Sequence, residues 1–233
     1  MRETHHCTVI IPALNEENSI AQVIGEIPDW VDRILVADNG STDRTAEVAF
    51  NAGAEIVDVP ERGYGSACLA GIAEAGEGTD ILVFVDGDLA DYPNRMATLV
   101  DPIVHEQVAM VIGSRVLGGA EPGSLTVAQR FGNRLACSLI RLFWGVHHTD
   151  LGPFRAIKRD TLEQLDMKDR NFGWTVEMQV KAAQCGLKVV EVPVPYRRRI
   201  GVSKISGTIR GTLAAGTKII WVILRSAIKR KRL

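Results

Sequence analysis

In Ile81-Leu82-Val83-Phe84-Val85-Asp86-Gly87-Asp88, five apolar residues are followed directly by a segment with two carboxylates. An apolar run of this length bounded by turn residues is typical of a buried strand. Similar runs lie upstream, each followed by a segment whose apolar residues have helical spacing. They are residues 8–11, 33–37 and 54–57. Strands that alternate with helices predict βαβ units, and therefore an α/β fold with a mostly parallel sheet flanked by helices.

The second half of the chain is less regular. It contains two more apolar runs that predict strands, two segments that predict helices and a glycine-rich stretch that predicts a mobile loop. The strands are residues 108–113 and 188–192, the helices are about residues 125–143 and 174–185, and the loop is residues 118–123. We find no internal repeat, so one domain is the simplest organisation.

The composition is that of an ordinary globular chain of 233 residues, with 46% hydrophobic and 24% charged residues. A formal net charge of -1 predicts no nucleic-acid partner. The cysteines are far apart, which argues against a zinc site or a disulfide framework and favours a reducing, cytoplasmic setting. They are Cys7, Cys68, Cys137 and Cys185. We expect neither a signal peptide nor a membrane-spanning segment.

Asp86 and Asp88 are the strongest candidates for a metal site. They follow a buried strand, and parallel sheets bind ligands beyond the carboxyl ends of their strands. Paired carboxylates suit Mg²⁺ or Mn²⁺, which keep positions open for phosphate oxygens. Such a cation would stabilise the charge on a leaving diphosphate. The alternative is a simple turn, since Asp-Gly-Asp is also good turn chemistry.

Polar or glycine-rich segments follow the other three strands at the same predicted edge of the sheet. Asp38 can accept hydrogen bonds from a base or a ribose, and Gly63 and Gly65 allow backbone to approach a phosphate closely. Four such strand ends at one edge predict a nucleotide site rather than unrelated turns. The segments are Pro12-Ala13-Leu14-Asn15-Glu16-Glu17, Asp38-Asn39-Gly40-Ser41-Thr42-Asp43 and Pro60-Glu61-Arg62-Gly63-Tyr64-Gly65.

The ordered set of these segments resembles glycosyltransferase family 2, whose members have the GT-A fold. The match continues through Gly113-Ser114-Arg115 and residues 150–157. Its last part, residues 191–196 and 199–204, is similar to the dolichyl- and polyprenyl-phosphate sugar synthases of that family. The resemblance covers the chain from about Thr8 to Lys204. It implies transfer of a hexose from a UDP- or GDP-sugar, with inversion, to a polyprenyl phosphate or, as the alternative, to a small soluble hydroxyl compound.

The resemblance implies a nucleotide-sugar pocket built from the strand ends. Asp38 would contact the base, and Arg115 would face the phosphates. Asp86, Gly87 and Asp88 would bind the diphosphate, with the two carboxylates as metal ligands. The pocket would also be lined by Pro12, Ala13, Leu14, Asn15, Glu16, Gly63, Tyr64 and Gly65.

Two departures from the resemblance matter. Ala90 stands where the related synthases often carry a glutamine that ligates the metal, and Asp91 lies beside it. The rest of the metal shell is therefore left open. Some related synthases also carry transmembrane helices after the catalytic domain, and we expect none here.

Asp150 and Glu177 are, with Asp88, the candidate catalytic carboxylates. Transfer to a hydroxyl requires a general base opposite the leaving diphosphate. Transfer to a lipid phosphate requires none, because that acceptor is already an anion. The structural alternative for Glu177 is a salt-bridged helix residue. Cationic side chains suit the acceptor phosphate, and the candidates are Arg130, Arg155, Arg199 and Lys204, with Arg115.

Residues 1–204 are expected to form one catalytic domain, with a nucleotide-sugar half to about residue 115 and an acceptor half from residue 116. Residues 205–233 predict an amphipathic helix, because apolar residues recur four or seven apart and a cluster of Lys and Arg follows. This pattern suits an interfacial helix on the cytoplasmic face of an anionic membrane. The alternative is packing on the domain or on a second subunit in a homo-oligomer.

Three other classes fit the sequence less well. A sugar-1-phosphate nucleotidylyltransferase would have a glycine-rich, arginine-containing loop after the first strand, and a Rossmann oxidoreductase would have G-x-G-x-x-G there. Residues 12–17 match neither pattern. A non-catalytic nucleotide-binding module is the last alternative, and the intact Asp86 and Asp88 argue against it.

Overall fold

The computed structural model describes residues 5–201 and 209–230. Within these ranges seven strands form one sheet in the order β3-β2-β1-β4-β6-β5-β7. The strands are β1 Cys7–Ala13, β2 Arg33–Asp38, β3 Glu55–Asp58, β4 Ile81–Phe84, β5 Met110–Ser114, β6 Arg155–Lys158 and β7 Val189–Pro193. Lys204, a predicted acceptor ligand, lies outside the described residues, as do parts of the predicted C-terminal helix.

Helices connect the strands and cover both faces of the sheet. They are α1 Ile20–Gly25, α2 Thr45–Asn51, α3 Tyr64–Ala75, α4 Met96–His105, α5 Arg115–Gly118, α6 Val127–Trp144, α7 Arg159–Leu165, α8 Trp174–Gln184 and α9 Ile209–Arg230, with a 3₁₀ turn at Pro93–Arg95. The mostly parallel sheet with flanking helices confirms the predicted α/β class.

The first four strands are parallel, and β6 is the exception in the sheet. It runs antiparallel between β4 and β5, pairing Phe84 with Arg155 and Ile112 with the same residue on its other side. Sequence reasoning missed β6, because its four residues begin with Arg155 and end with Lys158 and so lack a clear apolar run. Pairing with two neighbours, rather than local propensity, makes this segment a strand.

Pro12 lies inside β1, which extends beyond the strand predicted at residues 8–11. It pairs with Ala37 of β2. The carbonyl of Ile10 accepts from Val85, so alternate residues of β1 face β4. The β4 ladder stops at Ile10, and the missing N–H of Pro12 therefore faces a side where no ladder bond is required.

Alternating side chains of the central strands pack into two separate hydrophobic cores, one on each face of the sheet. Val9 and Ile11 of β1 join α1, α2 and α4 on one face, whereas Ile10 joins α3, α7 and α8 on the other. A third cluster, containing Ile140, Val180 and Ile223, joins α6, α8 and α9. Burial on both faces explains the continuous apolar runs of the strands and fixes their carboxyl ends at one edge.

The glycine-rich stretch at residues 118–123 is held by a neighbouring segment. Ala120 forms an isolated bridge with Tyr196, and Glu121 donates its N–H to the carbonyl of Tyr196. The guanidinium of Arg198 bonds the carbonyl of Pro122 at 2.8 Å. Among the described residues no helix has the length and apolarity that crossing a membrane requires.

Candidate functional site

The carboxyl ends of β1, β2 and β4 surround a cavity of about 320 Å³. Its wall contains many of the residues that the sequence predicted for the nucleotide sugar: Pro12, Ala13, Leu14, Glu16, Gly63, Tyr64, Asp86, Gly87 and Asp88. Arg199, which the sequence predicted for the acceptor phosphate, lies in the same wall. Other wall residues were not predicted: Asn39, Arg62, Ala67, Asn171 and Phe172. The volume falls in the range of small-molecule pockets, and the polar strand ends do converge on one place.

Asp86 is partly buried and lies beside Tyr64. The hydroxyl of Tyr64 donates to the Asp86 carboxylate at 3.0 Å. Burial, and next the negative charge of Asp88, raises the pKa of Asp86 to about 7. Cationic partners oppose this shift, Arg199 most of all. A carboxylate held in this way is stabilised by added positive charge, as a divalent cation would provide.

Asp88 is anchored by its own loop and by the chain segment that crosses it. One carboxylate oxygen accepts from the N–H of Ala90 at 3.0 Å, and the other is paired with Arg199 at 2.8 Å. The backbone carbonyl of Asp88 accepts from the N–H of Ile200 at 2.9 Å. Arg199 is thereby fixed at the cavity wall, next to the two carboxylates.

The donor set fits a hard divalent cation that also binds phosphate. Within residues 5–201 and 209–230, no group of three or more His, Cys, Asp or Glu side chains is arranged to hold a metal. Asp86 and Asp88 would therefore supply two ligands, and oxygens of a diphosphate and water would supply the others. Ala90 offers no side-chain ligand.

Asn39, rather than Asp38, forms the cavity wall after β2. The Asp38 carboxylate turns into its own loop, where it accepts from the N–H of Ser41 at 3.2 Å and from the Ser41 hydroxyl. The amide oxygen of Asn39 accepts from the N–H of Gly63 at 2.7 Å, which ties the loops after β2 and β3 together.

Asn15 is also not part of the cavity wall, and its side chain instead connects two loops. It has a positive φ of 54°, and its amide oxygen accepts from the N–H of Thr42 at 2.8 Å. Asparagine tolerates this left-handed conformation better than most residues. Asn15 therefore links the loop after β1 to the loop after β2.

Gly63 and Gly65 are required by a protein loop. A Cβ at Gly63 would overlap the carbonyl oxygen of Arg170, and a Cβ at Gly65 would overlap that of Asp169. The N–H of Ser66 donates to the Arg170 carbonyl at 3.0 Å. Residues 168–173, which we name the wedge loop, therefore pack directly on the start of α3. The wedge loop also carries Asn171 and Phe172 to the cavity.

The carboxylate of Glu177 binds the backbone of the wedge loop. It accepts from the N–H of Lys168 at 3.1 Å and of Asp169 at 2.7 Å, and it pairs with Lys181 at 2.8 Å. Glu177 is nearly buried and does not line the cavity. The position matches the salt-bridged helix residue that was the structural alternative for Glu177.

Asp150 and Arg115 form a buried ion pair beside the cavity. The guanidinium of Arg115 donates to both carboxylate oxygens, at 2.8 and 2.6 Å, and its backbone N–H adds a third bond. Burial alone would lower the pKa of Arg115, but the charge and hydrogen bonds of Asp150 raise it overall. Arg115 also lies 5.1 Å from the ring centre of Tyr196. Neither Arg115 nor Asp150 lines the cavity.

Arg155 and Arg130 occupy opposite environments. Arg155 is fully buried, and its guanidinium bonds the carbonyls of Gly152 and Thr175, the latter at 3.0 Å. Burial lowers the pKa of Arg155 to about 10. The structure therefore removes Arg155 from the candidate acceptor ligands, because its donors are used inside the protein. Arg130 is exposed on α6.

Asp91 is a buried carboxylate that the sequence did not single out as a site residue. Neither of its oxygens has a hydrogen-bond partner among the described residues. Burial, and next the charge of Asp86, raises the pKa of Asp91 well above its usual range. The raised pKa favours the protonated, neutral form of Asp91, which reduces the negative charge beside Asp86 and Asp88.

Comparison with known proteins assigns the class. Residues 8–166 match the model of the family described as Glycosyl transferase family 2. A glycosyltransferase of Mycobacterium tuberculosis is 37% identical over 213 residues, covering 89% of this chain and 93% of that protein. A dolichyl-phosphate hexose transferase of Haloferax volcanii is 31% identical, covering 95% of each chain. The chain belongs to glycosyltransferase family 2, and the resemblance seen in the sequence is confirmed.

A solved structure agrees with this assignment. Glucosyl-3-phosphoglycerate synthase of Mycobacterium tuberculosis, crystallised with Mn²⁺, uridine diphosphate and phosphoglyceric acid, superposes with a TM-score of 0.74 at 25% identity. The match covers 96% of this chain and 78% of that one. The GT-A fold and the assignment as a glycosyltransferase are therefore established for this chain.

Proposed function

We propose that this chain transfers a hexose from a UDP- or GDP-sugar to a polyprenyl phosphate, with inversion and with Mg²⁺ or Mn²⁺ as cofactor. The observation that carries the donor assignment is the cavity where the β1, β2 and β4 ends meet at Asp86 and Asp88. The complex of the related synthase with Mn²⁺ and uridine diphosphate supports a metal-bound diphosphate there.

Asp86 and Asp88 would hold the cation, which supplies charge stabilisation to the departing diphosphate. Arg199, paired with Asp88 at 2.8 Å, places a second positive charge at the same wall. Wall residues from the loops after β1 and β2, Leu14 and Asn39 among them, would orient the nucleotide. Phe172 of the wedge loop would help exclude water from the reacting carbon.

The state of the two candidate bases favours an acceptor that is already an anion. Asp150 is bound to Arg115 through both oxygens, and Glu177 is bound to the wedge loop and Lys181. Neither carboxylate is free to take a proton from a hydroxyl. A phosphate acceptor needs no such base. The relative from Haloferax volcanii is named a dolichyl-phosphate hexose transferase, which also favours a lipid phosphate as the acceptor.

Arg130, exposed on α6, is our proposed contact to the acceptor phosphate, and Lys204 stays a prediction. The described part of α9 presents apolar side chains to solvent, including Leu213 and Ile228. This supports the predicted peripheral contact with a membrane, where a lipid acceptor resides.

A small soluble acceptor is the second candidate, because the related synthase was crystallised with phosphoglyceric acid. The deciding experiment supplies radiolabelled UDP-glucose or GDP-mannose, with Mn²⁺, to a polyprenyl phosphate, the matching polyprenol or phosphoglyceric acid. Label that enters only the polyprenyl phosphate supports the proposal. Label that enters only the soluble acid favours the second candidate, and no transfer to any acceptor favours a non-catalytic module.

A further inference from the structure

We propose that Lys218 of α9 is a positioning residue for sugar transfer: its ammonium group holds Asp169, and Asp169 holds the part of the wedge loop that forms the cavity wall. The inference rests on the proposed function, because the loop matters for transfer only if the cavity binds the donor. It goes beyond that function by making α9, no described residue of which lines the cavity, a determinant of donor affinity.

The wedge loop stands between two cavities. Asn171 and Phe172 line the cavity at the strand ends, whereas Asp169 lines a second cavity of about 780 Å³ between the loop, α8 and α9. None of the six residues of the loop, all of them described, has a buried apolar side chain. A segment with space on both sides and little apolar burial depends on its polar contacts for its position.

The two halves of the wedge loop are held by different carboxylates. Glu177 accepts from the backbone at the start of the loop. The second half depends on Asp169 itself, whose Oδ1 accepts from the N–H of Asn171 at 2.9 Å and from the N–H of Gly173 at 3.1 Å. Because Phe172 lies between these two bonds, the carboxylate of Asp169 fixes the backbone that carries both loop residues of the cavity wall.

Lys218 supplies the positive charge that the carboxylate of Asp169 requires. Its Nζ lies 2.8 Å from Oδ2 of Asp169, the oxygen that does not accept from the loop backbone. The Asp169 side chain is only 7% exposed, and among the residues that the structure describes it forms no other ion pair. A carboxylate this buried is destabilised when its partner is removed. Loss of Lys218 should therefore favour rotation of Asp169 toward solvent and release of the second half of the loop.

The helix that carries Lys218 is packed against the end of the loop. Val222, four residues after Lys218, lies in a buried cluster with Val180 of α8. A Cβ added at Gly173 would come within 2.9 Å of Cγ2 of Val222, so α9 and the loop are in direct contact. Lys218 therefore reaches Asp169 from a packed helix, which can hold the carboxylate in one place.

The first test measures hydrogen exchange of single wedge-loop amides by nuclear magnetic resonance in the full chain, without donor or metal. Lys218→Met should speed exchange at Asn171 and Gly173 at least about tenfold, because their acceptor is released. Lys218→Arg keeps the charge and should return exchange to within about threefold of the parent. Lys168→Met is the matched control: Lys168 belongs to the same loop and pairs with Asp166, but both side chains are 70% exposed. Its exchange should change less than about twofold.

The second test measures calorimetric binding of UDP-glucose and GDP-mannose with Mn²⁺. For the donor that the parent binds, Lys218→Met should raise the Kd at least about tenfold, whereas Lys218→Arg and Lys168→Met should stay within about threefold of the parent. A double-mutant cycle identifies the route of the effect. In a chain that already carries Asp169→Asn, adding Lys218→Met should change the Kd less than about twofold, because Lys218 acts through Asp169. Circular dichroism confirms that each variant is folded.

Unchanged exchange at Asn171 and Gly173 in Lys218→Met would overturn the proposal. Faster exchange with an unaltered Kd for the donor would overturn it as well, as would a full loss of affinity when Lys218→Met is added to Asp169→Asn. A parent chain that binds neither donor contradicts the proposed function instead. The exchange measurement needs no donor, so it still decides whether Lys218 holds the loop.

Discussion

Glu177 of α8 accepts a hydrogen bond of 2.7 Å from the backbone N–H of Asp169, and so this helix fixes a loop that forms part of the cavity wall at Asp86 and Asp88. The same carboxylate accepts from Lys168 and pairs with Lys181. The wedge loop that it holds presses on α3 through the carbonyls of Asp169 and Arg170.

Glu177→Gln should therefore weaken the wedge loop rather than remove a base. The amide keeps one acceptor but loses the charge, and the unfolding free energy should fall by about 1–3 kcal/mol. The KM for the donor should rise more than kcat falls. Denaturant unfolding and initial-rate kinetics measure both effects.

Glu163→Gln is the matched control, because Glu163 is also a helical glutamate in an ion pair four residues apart, with Arg159, but lies on the surface. It should change stability by less than about 1 kcal/mol. Unchanged stability and donor KM in Glu177→Gln, with a lower kcat toward a hydroxyl acceptor, would instead assign Glu177 as the general base.

Gly65→Ala should destabilise the protein by about 2 kcal/mol or more, because the new methyl overlaps the Asp169 carbonyl and forces the wedge loop away. Donor affinity should fall as well, since Asn171 and Phe172 move with that loop. Gly25→Ala, where a Cβ meets only open space, should be nearly neutral. Thermal unfolding of both variants makes the comparison, and equal melting temperatures would contradict the packing described.

Asp88→Asn should reduce sugar transfer at least about a hundredfold while the protein stays folded, because a ligand carboxylate is lost from the metal position. Asp58→Asn is the control, since Asp58 also ends a strand of the same sheet edge but is exposed and lies off the cavity wall. Transfer by Asp88→Asn at more than about a tenth of the parent rate would exclude Asp88 as an essential ligand.

His148 should make the stability depend on pH. Burial, and next the charge of Arg155, lowers the pKa of His148 to about 4 in the folded protein. Between the ordinary pKa of about 6.5 and 4, the unfolded chain binds a proton that the folded chain does not. Stability from this residue is thus complete above about pH 6.5 and is lost as the pH falls toward 4.

His148→Gln removes that dependence. Urea unfolding at several pH values should show the parent losing stability relative to the variant by up to about 3 kcal/mol between pH 6.5 and 4. Parallel curves for the two proteins would mean that His148 titrates normally and is not held neutral.

The central strands could be predicted from sequence because their apolar runs are local and buried on both faces. β6 could not be predicted in this way, since its first and last residues, Arg155 and Lys158, are charged. Its pairing with β4 and β5 makes it a strand. The carboxylates after β4 were found for the same local reason. Which side chain of Asp38 and Asn39 faces the cavity depends on the loop conformation, which no spacing reports.

The wedge loop shows where sequence reasoning reaches its limit at the site. Ser66 and Arg170 are in contact although they are 104 positions apart in the chain. Gly63 and Gly65 suggested close approach by a phosphate, whereas a protein carbonyl makes that approach. A glycine can be recognised as a place of close contact, but the group that approaches it is set by the tertiary fold.

Calorimetric binding of UDP-glucose and GDP-mannose, each with Mn²⁺ and again with EDTA, tests whether a metal ion joins the donor diphosphate to Asp86 and Asp88. We expect that one donor binds with Mn²⁺, that EDTA abolishes this binding, and that Asp88→Asn does the same while Asp58→Asn does not. Binding that is equally strong in EDTA, or equally strong in Asp88→Asn, would contradict a metal-bridged diphosphate at Asp86 and Asp88.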